Sequence, residues 1–466
     1  MKINVIWTGL LLSSSILCLA QSRYSHDRVY TANQVSNSVS VIDPSTNSFV
    51  GEISLGKPYP NVLSPLYRGQ ALVHGLRYLP SKKLLAVVSI GSNSVTFLNT
   101  ETNKILETVY VGRSPHEPTF TPDGRQLWVS VRGESYISVI DVSTFKEIKK
   151  VPVTDGPGMV SFSPDGKLAY ICSSFTAELD IVDTSTFAII KKVPVISPFS
   201  PNIFTSQDGK YIALTHKDVG KVSVFATNSQ KIINVLTTGA ITNHVTFTIV
   251  NGTPLMLVTV GGDNNVLIFD PAQDFKLTNT IMVGALPHGI WAAPDGKVAY
   301  VGLEYADQVQ AIDLLTMKAL PAVKIGQSPQ ALVYAENAVS DSGKTNLTPL
   351  NDASETQVIQ LKNVSKKSGA QGKLAVRPIG LTDLVEQIFS GLEPNTPFTL
   401  ALTKAHKAPY TTDYEINSFK SDLNGKFTGQ SSGIVKSLPG AGEAHDYKHI
   451  FLINNNTKEA VLVDSL

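Results

Sequence analysis

Ser114-Pro115-His116-Glu117-Pro118-Thr119-Phe120-Thr121-Pro122-Asp123-Gly124 is followed by the strand-like runs Leu127-Trp128-Val129-Ser130-Val131 and Tyr136-Ile137-Ser138-Val139-Ile140. Within the quoted stretch Pro122 presets one backbone angle of a turn, and Gly124 tolerates the positive φ that closes it. The unit ends on Glu147-Ile148-Lys149-Lys150-Val151, so it holds four short apolar runs separated by turn signals. Its marker, an apolar pair before Asp or an equivalent residue, recurs at Asp43, Asn99, Asp141, Asp183, Ala226, Asp270 and Asp313. Successive markers lie 56, 42, 42, 43, 44 and 43 residues apart, and the first gap is lengthened around Pro58 to Gly69. Four strands in a unit of this length describe a β-propeller blade.

The chain ends decide between a closed ring and an open solenoid. Val29-Tyr30-Thr31, Ser38-Val39-Ser40-Val41 and Val50-Gly51-Glu52-Ile53 supply only the last three strands of a unit. After the last full repeat, Ser328-Pro329-Gln330-Ala331-Leu332-Val333-Tyr334 supplies only a first strand. Joined, they make one composite blade and leave no open sheet edge. The reading is therefore all-β, with a seven-bladed β-propeller over residues 27–338.

From about Ser340 the texture changes. Asp341-Ser342-Gly343-Lys344-Thr345-Asn346 is polar and turn-rich, which marks residues 339–356 as a linker. Beyond it, alternating runs such as Lys373-Leu374-Ala375-Val376-Arg377, Phe398-Thr399-Leu400-Ala401-Leu402 and Ala460-Val461-Leu462-Val463 predict a small C-terminal β-sandwich over 357–466. Gly391 to Leu400 is similar to the strand-entry pattern of fibronectin-type sandwiches, and no catalytic pattern accompanies it.

The 466 residues carry 39 basic and 38 acidic side chains, a net charge of +1. That balance excludes broad electrostatic binding of nucleic acid or of anionic membrane. Residues 1–20 begin with Lys2, pass through an apolar stretch around Leu10-Leu11-Leu12 and reach Cys18-Leu19-Ala20. This is the pattern of a secretory signal peptide cleaved after Ala20, its apolar core being short for an N-terminal membrane anchor. No later run is long enough to span a bilayer. Cleavage would leave Cys172 as the sole cysteine, so no internal disulfide is expected. The expectation is an exported protein, periplasmic or extracellular.

Ser161-Phe162-Ser163-Pro164-Asp165-Gly166-Lys167-Leu168-Ala169-Tyr170 and Val29-Tyr30-Thr31-Ala32-Asn33 resemble the YVTN-type propeller repeats of bacterial exported YncE-like proteins. The resemblance covers residues 27 to about 338 and implies the propeller fold. It implies no single activity, because related seven-bladed rings include lactonases, lyases, cytochrome d1 haem domains and plain binding proteins.

The chemistry resides in histidines. Seven residues before each turn Asp, or its equivalent, stand His74, His116, Gly158, Pro201, His244, His288 and Gln330. This position begins the innermost strand of each blade, and in a propeller those starts ring one mouth of the central channel. His244, His288, Gln330, His74 and His116 occupy a continuous arc from blade six round to blade three. The ends of the second strands, among them Arg132, His216, Asp218, Asp263, Glu304 and Tyr305, emerge on the same face. Imidazole is the commonest protein ligand of transition metals, so His74, His116, His244 and His288 are candidate ligands for copper, zinc or iron. The resemblance adds that copper-cluster and haem-binding propellers also place histidines here. Two other readings stand beside it: rings that bond neighbouring backbone carbonyls, and a catalytic acid–base set.

Gln330, Arg132, His216 and Glu117 are candidate ligand contacts, Glu117 also being a possible second metal ligand or base. There is no Cys-x-x-Cys-His haem motif and no phosphate-binding glycine loop before a helix. His445 and His449 have a spacing that would share a helix face, in a strand-rich region. These readings favour a binding or scaffold protein that takes a small ligand, a metal or a protein partner at the mouth. A metal- or haem-dependent redox protein related to cytochrome d1-type propellers is the alternative, with a lactonase- or lyase-like enzyme behind it.

Overall fold

The computed structural model describes residues 24–56, 71–350, 356–365, 369–378, 383–433, 435 and 447–464. The expected signal peptide lies outside them. They separate into two compact units, the first comprising the repeats and the second beginning after Asn351. Among the described residues no helix is long and apolar enough to cross a membrane.

The first unit is a seven-bladed β-propeller: seven antiparallel sheets of four strands each, as the repeat predicts. Blade three contains Pro115–Phe120, Gln126–Val131, Tyr136–Asp141 and Lys146–Pro152, ordered from the channel outward. Its middle strands are almost wholly buried between neighbouring blades, whereas the outer strand is exposed along most of its length. That gradient follows the composition, apolar in the middle runs and lysine-rich in the last. Trp128, fully buried, packs edge-on against Phe162 and stacks on Phe187 of the next blade.

The Pro-Asp-Gly turns key one blade to the next. Gly124 has φ +68°, and a Cβ there would lie 2.9 Å from Leu79 of blade two. Gly209, in the equivalent turn Gln207-Asp208-Gly209, likewise leaves room for Pro164 of blade four, whose ring would stand 2.7 Å from such a Cβ. Each turn aspartate ties the loop internally: Asp123 Oδ1 accepts from Thr121 Oγ1 at 2.7 Å and from the Arg125 amide at 3.0 Å.

Blade one is composite. The strand Pro329–Ala335 pairs antiparallel with Arg28–Asn33, Val333 opposite Tyr30, and Ser38–Asp43 and Ser48–Ser54 complete the sheet. The polar stretch after it is bound to the propeller. Asn103 Nδ2 donates to the carbonyls of Gly343 (2.8 Å) and Thr345 (2.9 Å), Arg28 Nη2 to that of Ser342 (2.6 Å), and Thr348 pairs with Glu52.

In the second unit the strands form one eight-stranded antiparallel sheet. It runs Tyr414–Lys420, Pro397–Thr403, His449–Asn454, Ala460–Asp464, Gln357–Asn363, Gln371–Pro378, Asp383–Ser390, Phe427–Gly433. The sheet is nearly closed like a barrel, where the sequence leads one to expect two facing layers. Phe419 and Phe427, on its two end strands, stack with centroids 3.8 Å apart and so draw those ends together. Alternating strands bury one face either way; the stacked end strands and the unbroken ladder select the curled sheet.

Candidate metal centre at the channel mouth

A bulge at the start of the inner strands of blades two, three, six and seven presents the histidines. In blade three Pro115 pairs with Val131 but Pro118 with Val129, so His116 and Glu117 drop out of register. The same slip brackets His74 and Gly75, Asn243 and His244, and His288 and Gly289. Bulges re-aim side chains, and here the pattern repeats around the ring. Small residues let the bulges nest. A Cβ at Gly75 would lie 2.3 Å from the His116 carbonyl and 2.8 Å from Glu117 Oε2.

The four imidazoles form two pairs. His74 and His116 have ring centroids 4.4 Å apart, and His244 and His288 4.9 Å. His116 Nδ1 donates to the Gly158 carbonyl at 2.8 Å, and His288 Nδ1 to the Gln330 carbonyl at 2.5 Å. Bonding to backbone carbonyls, one of the readings left open by the sequence, is thus realised at two of the four. It also fixes the tautomer, leaving each Nε2 with its lone pair. Burial holds all four neutral: it pushes His74 and His244 down to about 3, and His116 and His288 well below the usual range.

The pairs then diverge. His288 Nε2 faces the Lys217 ammonium at 3.5 Å. His74 Nδ1 instead faces Glu117 Oε1 at 4.0 Å, too far for a hydrogen bond. Both atoms are buried, and neither has a hydrogen-bond partner. Potential ligand atoms of His74, His116 and Glu117 all lie within 4.8 Å of one another. Burial pushes the Glu117 carboxyl up to about 8, against the opposing pull of Arg77.

Arg77 closes the channel beneath. Its guanidinium lies 4.4 Å from the Trp291 ring centroid and 5.8 Å from that of Phe204, with Nη2 4.0 Å from Met159 Sδ. Those partners come from blades seven, five and four, so one side chain from blade two spans the bore. Asn202 Nδ2 donates to the same sulfur at 3.2 Å.

The remaining sequence candidates distribute as follows. Gln330 donates through Nε2 to Ser328 Oγ at 3.0 Å. Arg132 lies over the rings of Phe175 and Phe199, at 5.8 and 5.5 Å. His216 is fully buried, and both its nitrogens are engaged, with Ser200 Oγ and Ser223 Oγ at 2.7 Å each. It ties blade five together and offers no free nitrogen to the mouth. Asp218 accepts from Ser197 Oγ at 2.5 Å. His449 lies on a strand and bonds Asp464 Oδ1 at 2.7 Å, and His445 lies outside the described residues. Cys172 is buried, its thiol pushed up to about 12 by desolvation.

Sequence reasoning missed Arg77 and Lys217. Arg77 had a signal: three residues past the histidine position stand Arg77, Thr119, Ser161, Phe204, Phe247, Trp291 and Val333, of which only arginine is charged. Lys217 neighbours two residues that were singled out, and nothing in the sequence says its side chain reaches blade seven.

No protein-family model and no curated protein sequence matches the chain. Solved structures do. The chain is similar to Kuenenia stuttgartiensis hydrazine synthase, with 21% identity and a TM-score of 0.51, over 56% of this chain and 89% of that one. It is also similar to a functionally unknown protein from Desulfotomaculum acetoxidans DSM 771, with 12% identity and a TM-score of 0.56, over 66% and 99%. At these identities the likeness shows the propeller fold alone.

Proposed function

We propose that this is an exported binding protein of the YVTN propeller type whose channel mouth holds one divalent transition-metal ion on His74, His116 and Glu117. The observation that carries the reading is the unpartnered pair His74 Nδ1 and Glu117 Oε1, buried 4.0 Å apart. A buried polar atom left without a partner costs about 1–3 kcal/mol, and a shared ion would satisfy both at once. His116 supplies the third donor, with its tautomer already fixed by the Gly158 carbonyl. Two imidazoles and one carboxylate suit zinc, copper or iron better than calcium or magnesium, and three protein ligands leave a position open for a bound molecule. The ion would displace the Glu117 proton, and Arg77 would steady the resulting carboxylate from below.

Calorimetric titration of the chelator-treated full chain with zinc is expected to show one site. His74→Ala with His116→Ala should weaken it by well over the ~10–100-fold typical of changes outside the ligand set. Cobalt substitution should give the visible d–d bands of a low-symmetry N/O site. A chain that binds neither ion, or a double variant that binds like the parent, would overturn the proposal.

A further inference from the structure

The mouth contains two cations that the metal reading does not use. Lys217 Nζ stands 3.5 Å from His288 Nε2, and its charge is felt at His74, His244 and His288. The charge of Arg132 is felt at His74, at His116 and at Lys217 itself. Geometry joins them: Arg132 lies 5.5 Å from the Phe199 ring centroid, and the Phe199 carbonyl accepts from the Lys217 amide at 3.2 Å, so the two cations flank one residue. Glu304 is the acid whose charge reaches Lys217, and that of Arg132 opposes it there. Arg132 is steadied by the faces of Phe175 and Phe199, contacts that do not use its N–H groups. Phe175 is 54% exposed, and Arg132 beside it is partly exposed.

Two like charges held close together and partly desolvated repel each other, and a divalent ion beside them sharpens the imbalance. Glu117 and Glu304 offset two units, against five from the ion, Lys217, Arg132 and Arg77. With Arg77 reaching across the bore beneath, an anion entering from solvent would offset the remainder.

We infer that the mouth binds a small oxyanion, with one oxygen at the metal's open position and the others held by Arg132 and Lys217. The metal contact rests on the reading above, whereas the two cations stand without it. Arg132 suits the planar, two-point grip that a carboxylate or phosphate offers, and Lys217 adds a point charge. Phe175 and Phe199 add an apolar wall beside it, which would favour an anion carrying a hydrocarbon body.

The test is calorimetry with acetate, benzoate and inorganic phosphate on metal-free and zinc-loaded protein, in the parent chain, Arg132→Met and Lys217→Met. The zinc-loaded parent is expected to bind at least one of the three. Each variant should bind it at least ~10-fold more weakly, with zinc stoichiometry and melting temperature unchanged. Benzoate outcompeting phosphate would assign the site to organic acids, and the reverse to inorganic oxyanions. No anion binding by the zinc-loaded parent, or variants that bind like it, would overturn the inference. If zinc itself fails to bind, the metal reading falls alone provided the metal-free parent takes up anion in a manner lost in both variants. Without that uptake the anion site falls too.

Discussion

His116 uses its two ring nitrogens for separate purposes: one bonds the next blade's carbonyl, and the other is left free toward His74 and Glu117. A favoured structural element and a ligand can therefore be the same residue, which is why the sequence alone left both readings open. Gly75 makes the pairing possible. Gly75→Ala would drive a methyl against the immovable His116 carbonyl, so overpacking of about 1–3 kcal/mol is expected in urea unfolding, together with weaker zinc binding. His216 gives a prediction of a different kind. Burial depresses it from 6.5 to about 4, so below pH 6.5 the unfolded chain takes up this proton before the folded one does. Its contribution is present above pH 6.5 and is lost as pH falls through about 4, amounting to roughly 3 kcal/mol at about 1.4 kcal/mol per pH unit. Unfolding midpoints measured from pH 7 to 4 should fall less steeply in His216→Asn than in the parent; parallel slopes would refute the assignment.

At the scale of the element, the inner-strand bulge is the device that converts a structural repeat into a site. An unbroken ladder would alternate side chains strictly between faces, whereas the extra residue shifts the phase just where His74, His116, His244 and His288 stand. The bulge is not legible as such, because Val73-His74-Gly75 or Pro287-His288-Gly289 reads equally well as a plain strand start. Closure by Pro329–Ala335 is legible, since a missing strand at one end and a spare at the other need no tertiary information. Val333, 2% exposed, packs against the core shared by blades one and two. Val333→Asp would bury an unpaired carboxylate there, and a loss of at least about 3 kcal/mol, or insoluble protein, is expected. A variant that melts with the parent would show that blade one does not depend on this strand.

At the scale of the molecule, the boundary between the units lies later than composition suggests. Polar, turn-rich residues 339–356 read as a linker, yet several of those before Asn351 are hydrogen-bonded along the propeller. Polar composition marks segments that cannot form a core, and such a segment can still be bound by its backbone. A fragment of residues 24–350 is therefore expected to be more stable than one of residues 24–338. The gap should be on the order of 5 kcal/mol, at about 1 kcal/mol for each hydrogen bond lost. Equal denaturant midpoints for the two would return residues 339–350 to the status of a tether. The sequence by itself determined the seven-bladed ring and the arc of histidines, because turn chemistry and strand periodicity are local and repeat with each copy. Only the tertiary structure decided which histidines act together, that Glu117 faces His74, that Arg77 closes the bore and that Lys217 reaches His288. Those residues lie on separate blades and meet only once the ring has closed, and no local rule encodes a distance across the channel.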